Sequence, residues 1–130
     1  MKHSRHAVVL CYNLTGNKAN QIKAAAVRLG LQIRTVAPES FSLPLGHLLG
    51  WEEYAQAQAT DDTPFTEEML VFYQLSQAQL DAFLPEIRRA GGVRLKAVVT
   101  PTNVSWNSCA LVRELDAEHN AIAQQRQAQH

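Results

Sequence analysis

Cysteine is scarce: two residues among 130, with Cys11 in an apolar run and Cys109 in a helical segment, and no CxxC spacing between them. That excludes a disulfide framework and a thiolate zinc site. Long hydrophobic runs are missing as well. No stretch approaches the roughly 18 apolar residues that span a bilayer, and the start Met1-Lys2-His3-Ser4-Arg5-His6 has no secretory apolar block, so a reduced cytoplasmic setting is expected. Lys and Arg are absent from residues 35–87, which carry nine acids. The net charge is still zero, twelve basic residues against twelve acidic, leaving an acidic middle between basic flanks.

Sequence motifs of catalysis are also wanting. There is no Walker pattern, no GxGxxG and no Gly-x-Ser-x-Gly elbow, and Gly91-Gly92 reads as a helix stop. Cys11 lies in a strand expected to be buried, where a thiol is inert. The acid pairs Glu52-Glu53, Asp61-Asp62 and Glu67-Glu68 are chain neighbours whose side chains diverge in regular structure. His3, His6, His47, His119 and His130 find no second ligand at zinc spacing. Neither a metal, a cofactor nor a catalytic residue is expected. An enzyme would need a site assembled across a subunit interface.

What the chain does contain is one unit twice. Val9-Leu10-Cys11-Tyr12-Asn13-Leu14-Thr15 returns sixty-one positions later as Leu70-Val71-Phe72-Tyr73-Gln74-Leu75-Ser76. Each copy runs from an apolar strand through Tyr, an amide, Leu and a hydroxyl residue into a helical pattern. The first helix has Ile22, Ala25, Ala26 and Leu29 on one face and stops at Gly30. The second has Ser76 and Gln79 as a capping box, Leu75 with Leu80 as a staple, a stripe of Leu80, Phe83, Leu84 and Ile87, and Pro85 inside it. Alternating strands follow at 31–36 and 93–99. Asn103 is then the expected cap of a last helix with Val104, Ser108, Leu111, Leu115 and Ile122 in its stripe, fraying beyond Ala123.

At this length one domain is expected, divided as a first βαβ unit (6–36), a long acidic connection (37–66), a second βαβ unit (69–99) and a C-terminal helix (103–124). The fold class is α+β. Interleaving the units gives a duplicated ferredoxin-like sheet, order 4-1-3-2, because strands one and three are apolar on both faces while strands two and four carry Arg34, Arg94 and Lys96 as edges do. The last helix is the expected lid over the sheet's second face. A connection of thirty residues is more often functional than a mere link; its start, from Phe41 to Trp51, should pack, and 55–64 should be mobile.

Three stretches, Leu10-Cys11-Tyr12-Asn13-Leu14, Pro44-Leu45-Gly46-His47-Leu48-Leu49-Gly50 and Leu95-Lys96-Ala97-Val98-Val99-Thr100-Pro101-Thr102-Asn103 with Trp106, resemble a bacterial family catalogued only as a domain of unknown function, family 3783. The resemblance runs over residues 8–118. It implies a short, stand-alone bacterial protein and assigns no catalytic residue.

The expected function is that of a small non-enzymatic module binding a partner protein or a small anionic ligand, as a monomer or weak homodimer. By fold analogy, ligand-sensing regulators of the ACT and nitrogen-regulatory PII type place a long loop between strands two and three. Candidate ligand-binding residues are Gln74, Ser76, Thr100, Thr102 and Asn103, because the proposed order brings the strand ends carrying Asn13, Gln74 and Thr100 together. Simple capping by Thr and Asn explains most of the same residues. RNA binding through Tyr12, Phe72 and Tyr73 conflicts with the neutral isoelectric point and the missing basic-Gly-aromatic signature.

Overall fold

Runs of Val, Leu, Met and aromatic residues favour extended backbone, and two of them form the middle of the sheet: β1 (Val8–Tyr12) and β3 (Met69–Tyr73), both buried on both faces. The computed structural model describes residues 6–128, with side chains described from 6 to 122. Each central strand leads into a helix of 13 residues, α1 (Gly16–Arg28) or α3 (Gln77–Arg89), and each helix returns to an edge strand, β2 (Gln32–Thr35) or β4 (Leu95–Val98). The capping box at Ser76 forms as its sequence implies. Ser76 Oγ accepts from Gln79 N–H at 3.0 Å, and Gln79 Oε1 accepts from Ser76 N–H at 2.9 Å.

The sheet is mixed, with order β2-β1-β3-β4. This corrects the ferredoxin-like order 4-1-3-2: β2 lies beside β1 and β4 beside β3, both parallel, and the units join through an antiparallel β1–β3 pair. The two orders share central and edge strands and differ only in which edge goes with which centre, so charge patterning could not separate them. Chain length could. In this order β2 and β3 are separated by β1, about 10 Å apart at the usual strand spacing, and the chain after β2 must cross a sheet face. That is what residues 37–66 do. The analogy with ACT and PII regulators falls with the strand order.

The duplication has a local twofold axis. β1 and β3 pair with Leu10 opposite Val71, sixty-one positions apart and so repeat equivalents of each other. Beyond the helices the offset grows to sixty-three, because the second helix-to-strand turn has two extra residues. Thr35-Val36-Ala37-Pro38 then corresponds to Val98-Val99-Thr100-Pro101, and an isolated antiparallel bridge joins the equivalents Pro44 and Asn107. The short helix α2 (Leu45–Leu48) is the counterpart of the start of α4 (Ser108–Ala128). The strand-to-helix turns match too: among the described residues Asn13 (φ 63°) and Gln74 (φ 62°) are the non-glycine residues with left-handed backbone.

Two cores flank the sheet. Val9, Cys11, Leu70 and Phe72 pack under Ile22, Ala25 and Ala26 of α1 and Phe83 and Ile87 of α3. On the other face Leu10, Tyr12, Met69 and Val71 are covered jointly by Phe41, Leu45 and Leu49 of the connection and by Cys109, Leu111 and Val112 of α4. The lid expected from the last helix alone is therefore shared. The cap also differs. Asn107, not Asn103, caps α4, its Oδ1 accepting from Ala110 N–H at 2.8 Å. The helix leaves the body early: residues 117–122 are exposed, Ile122 to 49 %. The run beyond Ala123, expected to fray, is helical as far as Ala128; its side chains and residues 129–130 lie outside the described residues, as do His3 and His130. Segment 55–64, expected to be mobile, is largely exposed but tethered. Thr60 N–H donates to Ser42 Oγ at 2.9 Å, and Asp62 accepts from Asn107 Nδ2 at 3.0 Å.

Candidate functional site

The turn after β4 is a closed hydrogen-bond circuit. Thr100 N–H donates to Asn103 Oδ1 at 2.8 Å, Asn103 N–H donates to Thr100 Oγ1 at 3.1 Å, and Asn103 Nδ2 donates to Val98 O at 3.0 Å. Every one of these donors is spent inside the turn. The last bond also covers an outward carbonyl of the edge strand, which protects it from pairing with another chain. Thr102 is exposed beside it.

Ser76 is engaged in its capping box, and Gln74 is exposed on the preceding turn. Thr100, Thr102 and Asn103 do come together, lining a shallow hollow of about 400 Å³ with Lys96, Trp106 and Glu118. Gln74 and Ser76 do not line it. The expected meeting of Asn13, Gln74 and Thr100 is corrected by the sheet: β1 runs antiparallel to β3, so Asn13 lies at the opposite end from Gln74. There it has a structural task, its Nδ2 donating to Phe65 O at 3.0 Å and Glu67 O at 2.8 Å. This fastens the chain as it enters β3.

A second hollow, of about 450 Å³, opens at the C-terminal ends of β3 and β4 between Trp51, Tyr73, Val99, Thr100, Pro101 and Val104. Its walls are apolar except for Thr100, and Trp51 meets Tyr73 edge-on at 6.1 Å. The sequence reading missed it, since Trp51 and Val104 are distant in the chain. The signal that could have found it is the extended repeat, in which Val104 falls where the first half has Phe41.

The titratable interior offers weak nucleophiles. Burial pushes the Cys11 thiol up to about 12, only partly offset by Lys23. Burial also raises Tyr12, whose hydroxyl accepts from Ser108 Oγ at 2.7 Å, and Cys109, where the charge of Asp62 adds to the effect. Burial lowers Lys96, with Arg88 contributing. Tyr12 and Phe72 are buried on opposite faces, out of reach of a nucleic-acid base. Among the described residues no group of three or more His, Cys, Asp or Glu could hold a metal ion, and no helix is long and apolar enough to cross a membrane.

The architecture defines the class: an α+β protein with a four-stranded mixed sheet, built from two strand-helix-strand units about a local twofold axis. Residues 68–122, which hold β3, α3, β4 and the larger part of α4, match a family model described as Domain of unknown function (DUF3783). The match covers the second unit; the first lies outside it. No curated protein and no solved structure matches the chain.

Proposed function

We propose that this chain is a non-enzymatic binding module whose partner is a protein. The observation that carries the reading is the apolar hollow at Trp51, Tyr73, Val99, Pro101 and Val104. Open apolar concavities with few polar groups suit a protruding side chain of another protein. The small anion is disfavoured by the turn's geometry, because the backbone N–H groups of Thr100 and Asn103 and the amide of Asn103 are already bonded within it. An anion there would have to break bonds already made.

The test is paired capture from a cell lysate with the native chain and Val104→Asp, quantified by mass spectrometry, with melting temperatures confirming that both are folded. A protein retained by the native chain should be lost from the variant. Equal retention, or no shift of any retained protein, would overturn the reading. Millimolar phosphate should leave the melting temperature of the native chain unchanged; a rise of several degrees would restore the anionic ligand.

A further inference from the structure

The hollow at Tyr73 has a filled counterpart in the same molecule. The local twofold pairs Tyr73 with Tyr12, Val99 with Val36, Pro101 with Pro38 and Val104 with Phe41. Around Tyr12 the corresponding space is closed by two phenyl rings. Phe41 stands 5.3 Å from Tyr12 and Phe65 5.7 Å, and the two phenyl rings stack at 4.4 Å. At Tyr73 the first ring is reduced to Val104, and the repeat puts Ser4 at the sequence position of Phe65. The second half thus supplies neither ring from its own equivalents, while the concavity that received them is kept.

Among the described residues no charged side chain lines the hollow itself. Glu52, exposed, follows Trp51 of the lining directly in the chain. A carboxylate next to an apolar hole favours an apolar anchor with a cationic neighbour, since complementary charge steers the encounter and the buried ring holds it.

We propose that the hollow is an anchor site for an aromatic side chain of the partner protein, carried on an extended segment with Lys or Arg beside it and seated on Tyr73 as Phe65 is seated on Tyr12. This rests on the partner-binding reading and adds the chemistry of the partner. Offset and tilted ring pairs are the favoured aromatic contacts, and the first half displays the geometry.

The probe is the peptide acetyl-Thr-Pro-Phe-Thr-Lys-Lys-amide, which copies the residues around Phe65 with lysines in place of Glu67 and Glu68. Trp51 fluorescence in a Trp106→Phe background reports binding. Saturable binding is expected, at least about tenfold weaker when Phe in the peptide is replaced by Ala, and weakened severalfold by about 0.5 M salt. Val104→Phe in the protein restores the ring of the first half and should abolish binding while keeping the melting temperature. Glu52→Lys, an exposed substitution, should weaken binding and remove its salt dependence.

Equal binding of the Phe and Ala peptides, or binding unaffected by Val104→Phe and Glu52→Lys, would overturn the proposal. So would binding that occurs only after deletion of residues 1–5, which would make the chain's own start the occupant. A lysate partner that requires Val104 yet is not displaced by the peptide would sink the aromatic anchor and leave the partner-binding reading standing.

Discussion

The surroundings of Tyr12 and Tyr73 occupy equivalent places in two copies of one unit, yet among the described residues the first is sealed and the second is open. Sealing takes two residues, Phe41 from the turn after β2 and Phe65 from the chain entering β3. Where Val104 replaces the first and the repeat equivalent of the second is not aromatic, Trp51 meets Tyr73 edge-on, the scaffold stands and a hollow of about 450 Å³ remains. In this fold the sheet and its paired helices are thus one module, and the filling of the second face is another. The second can be altered without disturbing the first.

Phe41→Ala should have the strongest consequence. Phe41 is fully buried among aromatic neighbours, so its loss should destabilise by about 3–5 kcal/mol, whereas Val104→Ala, beside space that is already open, should cost only about 1–2 kcal/mol. Urea denaturation of both variants checks it, and equal costs would show that the Tyr73 side is packed as tightly as the Tyr12 side. Next comes α4. Leu111→Ala should cost about 2–5 kcal/mol because Leu111 is buried against the sheet, and Ile122→Ala less than about 0.5 kcal/mol because its half-exposed side chain lies beyond the packed part. A large loss at Ile122 would place the exposed half of α4 in a contact between copies, which light scattering would reveal.

The two left-handed turns differ in what their side chains hold. Gly at either position relieves backbone strain, but at position 13 it also removes two hydrogen bonds to the chain entering β3. Asn13→Gly should therefore destabilise by about 1–2 kcal/mol, and Gln74→Gly should stabilise by up to about 1 kcal/mol. The signs of the two midpoint shifts should be opposite. If both variants lose stability, Gln74 has a task that its exposure conceals.

The smallest effect at neutral pH is electrostatic and belongs to the first half alone, since Cys11 has the non-ionisable Phe72 as its equivalent. Burial raises the Cys11 thiol from 9.0 to about 12. The unfolded chain therefore gives up this proton first as pH rises, and the contribution of Cys11 is complete below about 9 and lost progressively toward about 12. Cys11→Val should abolish that part of the alkaline slope in urea midpoints while changing little at pH 7. An unchanged slope would mean that the thiol is not held protonated by its surroundings.

Much of this was readable from residues near one another in the chain. Ser76 and Gln79 announce their capping box, Gly30 and Gly91 the helix stops, and the all-apolar runs of β1 and β3 their central place, because each signal depends on contacts within a turn or on burial on both faces. The ligand site was less legible. Thr100, Thr102 and Asn103 do gather, but Asn103 spends its donors on Thr100 and Val98 rather than on a cap or a ligand, and nothing in a sequence states which of several nearby acceptors a side chain will choose.

By itself the sequence determined the duplicated strand-helix-strand units, their buried stripes and the two edge strands, since local propensity and the periods of burial set these. Tertiary structure alone decided which edge strand lies beside which centre and that the long connection crosses the second face. It also decided that Phe65, 53 positions beyond the end of β1 in the chain, would close one end of that face while the other stays open among the described residues. Those outcomes rest on contacts between residues far apart in the chain, where packing chooses among arrangements that the same hydrophobic pattern satisfies equally.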